Sequence, residues 1–149
     1  MNEGVCADKA RLGDEHRLLR GCAELSFAIR SEEKSVVAAV ETVRHAMELF
    51  ALAEDWIARS ELCLQEALLN AHFHGNGSDT SKEIRVGCLL AGSRVELHVE
   101  DDGHGFDLKA QNRPPRVGKT RGRGLYLIGE LMDSVAVNGS HITMGLCKE

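Results

Sequence analysis

Features typical of secreted, membrane-bound and zinc-ribbon proteins are scarce in this sequence. Only five of its 149 residues are cysteines, and they are scattered and form no C-x-x-C pair. This pattern argues against a disulfide framework and a zinc ribbon. No run approaches the roughly 18 apolar residues of a membrane-spanning helix, and the charged N-terminus lacks the apolar segment of an export signal. These absences predict a soluble protein of the reducing cytoplasm, with no membrane partner.

An excess of positive charge is also missing. The chain has 23 acidic residues against 18 lysines and arginines, a net charge of −5 at pH 7, so its surface as a whole does not favour nucleic acid as a direct partner. With 43% hydrophobic residues, it can bury one core. We expect an N-terminal arm over residues 1–21, which lack sustained periodicity, and a single domain over residues 22–149.

Hydrophobic periodicity predicts the element order β-α-α-β-β-loop-α-β-β. The predicted elements are a strand at 23–30, a helix from the N-cap Ser31 to about Ala53, a helix from about Asp55 to the stop at Gly75, a hairpin at 83–101, a helix at 124–133, and a closing hairpin that turns at Asn138 and Gly139. Hairpins make a sheet largely antiparallel, and the helices must then cover one face of it. The sequence therefore predicts an α+β fold, a two-layer α/β sandwich.

A polar pair stands out on the second predicted helix. Glu66 and Asn70 are four residues apart, so they share one helix face. The apolar residues Leu62, Leu69 and Phe73 flank them, which predicts a position at the edge of the core. Oxygen ligands so placed suit Mg²⁺, with Asn70 as the metal ligand and Glu66 as a base. From these two residues alone, an ordinary polar helix face is the more common explanation of the pattern.

The segment "DDGHGFD", residues 101–107, directly follows a predicted strand. A carboxylate at the end of a strand can accept a hydrogen bond from the exocyclic amine of a purine, and Asp102 is the predicted acceptor. Gly103 and Gly105 lack Cβ atoms, so a flat ring or a phosphate could approach the main chain there. A polar, glycine-rich turn without a ligand is the alternative.

The segment "KTRGRGLYLIGE" combines glycines with a helix start. Gly122 and Gly124 precede a helix whose first amides suit an anion such as phosphate. Between Asp107 and Glu130 the chain has no acidic residue but six basic ones, namely Lys109, Arg113, Arg116, Lys119, Arg121 and Arg123. The glycine spacing fits neither a P-loop nor a dinucleotide-binding turn. A solvated basic loop is the alternative interpretation.

In this order, the three segments resemble the N, G1 and G2 boxes of the GHKL superfamily of ATPases and kinases. "EALLNAHFHG" resembles the N box, "DDGHGF" the G1 box and "GRGL" the G2 box, with an ATP lid over about 107–121. The resemblance covers about residues 22–147 and implies the Bergerat-type ATP-binding fold, an α/β sandwich on a mixed, mostly antiparallel sheet. Within the superfamily, the chain looks most like anti-sigma factor serine/threonine kinases of the RsbW type.

The resemblance implies a role for each matching residue. Glu66 would be the general base, Asn70 the Mg²⁺ ligand, and Asp102 the adenine acceptor, assisted by Thr143 from the last strand. The residues implied to shape the pocket or hold the phosphates are Gly103, Gly105, Arg121, Gly122, Arg123, Gly124 and Leu125. The implied cofactors are ATP and Mg²⁺. The implied partners are an anti-anti-sigma (STAS) protein that is phosphorylated, a sigma factor, and a second copy in a homodimer.

Other enzyme classes are expected to need segments in addition to this domain. A sensor histidine kinase would need a dimerising helical segment before the first strand, which about 21 residues cannot supply. A GyrB-type or MutL-type ATPase would need a further transducer domain. One alternative from a different class stays open, an ATP-binding anti-sigma or regulatory module with little or no phosphotransfer.

Overall fold

The computed structural model describes residues 21–103 and 123–148, and within them the predicted element order is confirmed. The elements are β1 Cys22–Arg30, α1 Glu33–Leu49, α2 Glu54–Asn70, a π-helical turn Ala71–Gly75, β2 Glu83–Ala91, β3 Arg94–Glu100, α3 Arg123–Leu131, β4 Ser134–Asn138 and β5 His141–Cys147. The predicted lid and almost all of the predicted N-terminal arm lie outside the described residues.

The five strands form one sheet in the order β1-β2-β3-β5-β4, and each of its four strand pairs is antiparallel. Both predicted hairpins are therefore confirmed. The second one turns at Gly139, whose φ of 63° lies in the left-handed region that glycine adopts without strain. Together with helices packed on one face, this sheet is the predicted α+β sandwich.

Strict alternation along the strands determines which side chains reach the core. On β3, Val95, Leu97 and Val99 are buried beneath the helices, whereas the residues between them are only partly buried. On β5, Ile142 and Met144 are buried in the same way. Because successive strand residues point to opposite faces, this alternation also assigns every intervening residue to the face away from the helices.

The helices α1 and α2 each have 17 residues and bury one side against the sheet. Val43 and Met47 of α1, and Leu64 and Leu68 of α2, are completely buried. The other sides of both helices carry charged residues, which is the pattern of a surface helix. Within residues 21–103 and 123–148, no helix is both long and apolar enough to span a membrane.

The start of α1 differs from the prediction. Ser31 is not its N-cap, because that position belongs to Glu32, whose side chain makes no capping hydrogen bond. The hydroxyl of Ser31 is buried and instead shares a hydrogen bond of 2.9 Å with Nδ1 of His72. Ser31 therefore connects the end of β1 to the π-helical turn, a contact between residues far apart in the sequence.

The described cysteines differ in their state. Cys63, Cys88 and Cys147 are free thiols, and burial raises the pKa of Cys63 and of Cys88 to about 12. These two thiols stay protonated at neutral pH and act as small apolar core residues. Cys22 is disulfide-bonded, a bond that the cysteine spacing did not predict.

Candidate functional site

The structure brings together three of the predicted site residues. Glu66 and Asn70 lie on the last turns of α2, and the start of α3 packs against them. A Cβ atom placed on Gly124 would lie only 2.8 Å from Nδ2 of Asn70 and from Oε2 of Glu66. Real Cβ atoms essentially never come so close, so a side chain at position 124 would force the ends of Asn70 and Glu66 to shift. The next residue, Leu125, is buried in the core and holds the helix start in place.

The side chain of Asn70 combines an unused donor with an amide oxygen. It is buried, and its Nδ2 has no hydrogen-bond partner among the described residues, so it could donate to an oxygen of a ligand such as phosphate. An asparagine amide oxygen close to a carboxylate is a donor set suited to Mg²⁺, which takes one or two protein ligands and otherwise keeps water and phosphate oxygens. In the part of the chain that the structure describes, no group of three or more histidine, cysteine, aspartate or glutamate side chains could hold a metal. A cation at Asn70 would thus need non-protein ligands.

The π-helical turn that continues α2 provides a second close approach. A Cβ atom on Gly75 would lie 2.1 Å from Oδ2 of Asp101, and a Cβ atom on Gly103 would lie 1.7 Å from the carbonyl oxygen of Gly75. Single π-helical turns within helices occur frequently at functional sites. Here the turn carries the end of the helix onto the loop that follows β3, and two glycines make the contact possible.

The buried carboxylate of this loop is Asp101, which directly precedes the predicted acceptor Asp102. Asp101 is 2% exposed and lies two positions beyond Val99, so it continues the helix-facing set of β3. Its Oδ1 accepts a hydrogen bond of 2.7 Å from the amide of Gly103. Its Oδ2 is buried without a partner among the described residues, and such an acceptor suits a donor supplied by a ligand.

Asp102 points to the opposite face of the sheet. Its side chain is 39% exposed, its Oδ1 accepts from Arg85 at 3.2 Å, and its Oδ2 accepts from the amide of Glu83 at 3.2 Å. Both carboxylate oxygens are therefore already occupied by the protein itself. These contacts join the loop after β3 to the start of β2.

The pKa shifts of the two neighbouring carboxyls have opposite directions. Burial raises the pKa of Asp101, although the hydrogen bond from the amide of Gly103 partly opposes this. The hydrogen bond from the amide of Glu83, together with Arg85, lowers the pKa of Asp102. In the folded protein, the hydrogen bond to Asp101 only partly offsets the cost of burying its negative charge, whereas the contacts of Asp102 stabilise its ionised form.

Thr143, which the resemblance implies as an assistant of Asp102, lies on β5. It pairs with His98 in the β3–β5 register, and its hydroxyl is 3.2 Å from Nδ1 of that ring. Because its neighbours Ile142 and Met144 face the helices, Thr143 faces the other side of the sheet and cannot assist a carboxylate on the helix side. The residue that contacts Asp101 from this hairpin is Ser140, whose carbonyl accepts the Asp101 amide at 3.1 Å.

The remaining predicted site residues lie at or beyond the limits of the described regions. Gly105, Arg121 and Gly122 fall outside them, and Arg123 is the first residue of α3. Sequence reasoning also missed residues that the structure brings to the site. Gly75 was interpreted only as a helix stop, and the buried Asn76 received no role.

We expect Gly103→Ala to lower the free energy of unfolding by about 1–3 kcal/mol, the usual cost of overpacking. The added Cβ would lie 1.7 Å from the carbonyl oxygen of Gly75, a backbone atom that cannot rotate away. Gly92→Ala is the control, since nothing lies within 4 Å of a Cβ at that turn position. Urea unfolding of both variants checks this, and equal stabilities would contradict the close contact.

The sheet order and the glycine-lined convergence of α2, the loop after β3 and α3 define a nucleotide-binding domain of the GHKL class. Residues 29–146 match the family described as the Histidine kinase-like ATPase domain. The chain belongs to this family.

Individual relatives indicate a subgroup. The chain is 33% identical over 93 residues to serine-protein kinase RsbW of Oceanobacillus iheyensis. The aligned region covers 56% of this chain and 59% of that protein. It is 32% identical over 104 residues to serine-protein kinase RsbW of Bacillus subtilis, covering 63% and 65%. The chain thus spans roughly three fifths of the length of these RsbW relatives.

Two further relatives agree with this grouping. The anti-sigma F factor of Oceanobacillus iheyensis is 24% identical over 119 residues, which is 76% of this chain and 82% of that protein. Among solved structures, the RsbU and RsbW domains of Rv1364c from Mycobacterium tuberculosis match with a TM-score of 0.59 and 18% identity, over 85% of this chain and 32% of that one. At this identity the structural match supports the fold alone, which is RsbW-like.

Proposed function

We propose that the protein is an ATP-dependent serine/threonine kinase that phosphorylates an anti-anti-sigma partner of the STAS type and acts as an anti-sigma regulatory factor. The observation that carries the proposal is the buried, unpartnered Oδ2 of Asp101 beside the π-helical turn that leads back to Asn70 and Glu66. Asn70 lies five residues before Gly75, or roughly 7 Å along a helix axis. Asp101, beside the end of this segment, is therefore available as a partner for the nucleobase, and Asn70 as a partner for the phosphate end of the same nucleotide.

Asp101 is the proposed adenine acceptor in place of Asp102. The exocyclic amine of adenine is a donor, and a buried ionised acceptor contributes about 1.5–3 kcal/mol to such a bond. Gly75 and Gly103 flank Asp101 and keep side chains out of the space around it. A purine without an amine at the matching position would leave the carboxylate unpaired, which is costly in a buried site.

Asn70 and the start of α3 are proposed to hold the phosphate end. The amide oxygen of Asn70 would bind Mg²⁺, and the first free amides of α3 around Gly124 and Leu125 would hold phosphate oxygens. When bound, Mg²⁺ supplies neutralisation of the charge on the phosphates. Arg121 and Arg123 precede or begin this helix and are proposed to offset charge on the transferred group.

Glu66 is the proposed general base. It lies one turn before Asn70, is only partly buried, and its Oε2 faces the start of α3. A carboxylate in that position can accept the proton of a serine or threonine hydroxyl as the hydroxyl attacks the terminal phosphate. The acceptor hydroxyl would belong to the partner protein.

A second function has its own support. The similarity to an anti-sigma F factor extends over 82% of that protein, more than for the RsbW kinases described above. In this alternative the nucleotide shapes a partner-binding surface, and little or no phosphate is transferred. A sigma factor and a second copy of the chain are proposed partners in both cases.

Incubation of the protein with ATP labelled at the terminal phosphate and a candidate anti-anti-sigma protein separates the two functions. The kinase proposal expects label on a serine or threonine of the partner and no transfer when EDTA removes Mg²⁺. Tight binding of ATP and partner without label would instead support the binding module and refute kinase activity toward that partner.

A further inference from the structure

Asn76 is a buried polar residue whose side-chain nitrogen and oxygen both make hydrogen bonds. It follows the π-helical turn directly and is 2% exposed, although the five residues after it are all exposed. Its amide donates to the carbonyl of Ala71 at 2.7 Å. Its side-chain Nδ2 donates to the carbonyl of Glu83 at 3.0 Å, and its Oδ1 accepts the amide of Asp102 at 2.8 Å.

These three bonds join three separate segments. The first bond closes the turn that ends α2, the second reaches the start of β2, and the third reaches the loop after β3. The residue held by the third bond, Asp102, lies between Asp101 and Gly103, which are the two residues in contact with Gly75. Fixing the amide of Asp102 therefore fixes both of its neighbours against the π-helical turn.

We propose that Asn76 is a positioning residue that sets where the Asp101 carboxylate lies relative to Asn70, and that it thereby determines the preference for adenine. The inference rests on the proposed function for its nucleotide part. Asn76 touches neither base nor phosphate in this account and acts through Asp101. The Asn76 side chain joins the end of the π-helical turn to both the start of β2 and the loop after β3.

Few side chains could replace it. Alanine removes both side-chain bonds and leaves the carbonyl of Glu83 and the amide of Asp102 without them. Serine has one hydroxyl that can both donate and accept, but its side chain is shorter and has a single polar atom in place of the separate Nδ2 and Oδ1 that reach Glu83 and Asp102. Asn76→Ala therefore removes both side-chain bonds at once. Asn76→Ser is a milder change that can still be measured if the alanine variant folds poorly.

Ser31→Ala is a matched control. Ser31 is completely buried and makes its hydrogen bond with His72 on the same π-helical turn, so its loss also removes a buried polar contact there. It makes no hydrogen bond to the loop that contains Asp101 and Asp102. A general loss of stability should therefore affect both variants, whereas a displaced Asp101 should affect only the Asn76 variants.

The experiment measures ADP and GDP affinities by calorimetry with Mg²⁺ for the full chain and the three variants. We expect Asn76→Ala to weaken ADP binding about tenfold, corresponding to about 1.4 kcal/mol, and to reduce the preference for ADP over GDP, with Asn76→Ser intermediate. Ser31→Ala should keep that preference. A preference that is unchanged in both Asn76 variants would overturn the proposal and leave Asn76 a structural residue only.

Amide hydrogen exchange without nucleotide tests the positioning step separately from the proposed function. Asn76→Ala and Asn76→Ser should speed exchange at Asp102 and Gly103 more than Ser31→Ala does, because they release that loop. Equal exchange in all variants would refute the anchoring role of Asn76. If exchange changes as expected but the unmodified protein does not distinguish ADP from GDP, the positioning stands, and the adenine role of Asp101 and the specificity part of the inference both fail.

Discussion

Glu66→Gln is expected to slow phosphoryl transfer to the partner protein by about 10²–10⁴-fold, the usual contribution of a general base. Glutamine keeps the size of the side chain and its approach to Gly124, where a Cβ would lie 2.8 Å from Oε2 of Glu66, but it cannot accept the proton. Nucleotide affinity should stay nearly unchanged, because Glu66 does not contact the base. Single-turnover transfer and calorimetry on the same preparation measure the two quantities.

Glu61→Gln is the matched control for this prediction. Glu61 is also a partly exposed carboxylate of α2, but it pairs with Arg44 at 3.7 Å and lies farther from the start of α3. The same chemical change there should leave transfer unaffected. Rapid transfer by the Glu66 variant would remove Glu66 from the role of base, whatever the nucleotide affinity.

The second large effect is expected at Asp101. Asp101→Asn should weaken ADP binding by about 10–100-fold, since a bond to a buried ionised acceptor is worth about 1.5–3 kcal/mol. Asp102→Asn, the same change one residue along, should leave ADP affinity almost unchanged. Calorimetric titration of the two variants compares them directly. A larger loss for Asp102→Asn would restore the original sequence-based choice and contradict the structural one.

The raised pKa of Asp101 also affects folding stability. The carboxylate that is expected to favour ADP binding is unfavourable for the nucleotide-free fold. Because burial makes the folded protein bind this proton more readily than the unfolded chain does, ionised Asp101 destabilises the fold at neutral pH, and its contribution becomes more favourable as the pH falls. Asp101→Asn should therefore raise the thermal midpoint of the nucleotide-free protein at pH 7. It should also remove the loss of ADP affinity that we expect as the pH falls toward the raised pKa. A lower midpoint at pH 7 would contradict this account.

The alternation of apolar residues was enough to predict the sheet and its hairpins, and it also indicates which face of the sheet each candidate site residue occupies. Carried two residues beyond Val99, it assigns Asp101 to the helix-facing side and Asp102 to the other. Applied to β5, it separates Thr143 from Ile142 and Met144 in the same way. The choice of Asp102 and Thr143 followed the motif and the family resemblance, and neither choice used the face that each side chain occupies.

Other features depend on contacts that local sequence does not specify. The π-helical turn Ala71–Gly75 has no periodicity of its own, and the glycine at its end was indistinguishable from an ordinary helix stop. Asn76 has partners at Glu83 and Asp102, 7 and 26 residues away in the sequence. Ser31 looked like a helix cap because serine is common there, whereas tertiary packing gives its hydroxyl to His72. In each case a long-range partner outweighs the local preference.

The central claim is that an adenine nucleotide binds between Asp101 and Asn70. Isothermal titration of the purified protein with ADP tests it most directly, with Mg²⁺ present and then with EDTA. The account predicts saturable binding at one site per chain, weakened when Mg²⁺ is removed. The absence of measurable binding heat with both ADP and ATP in the presence of Mg²⁺ would contradict it.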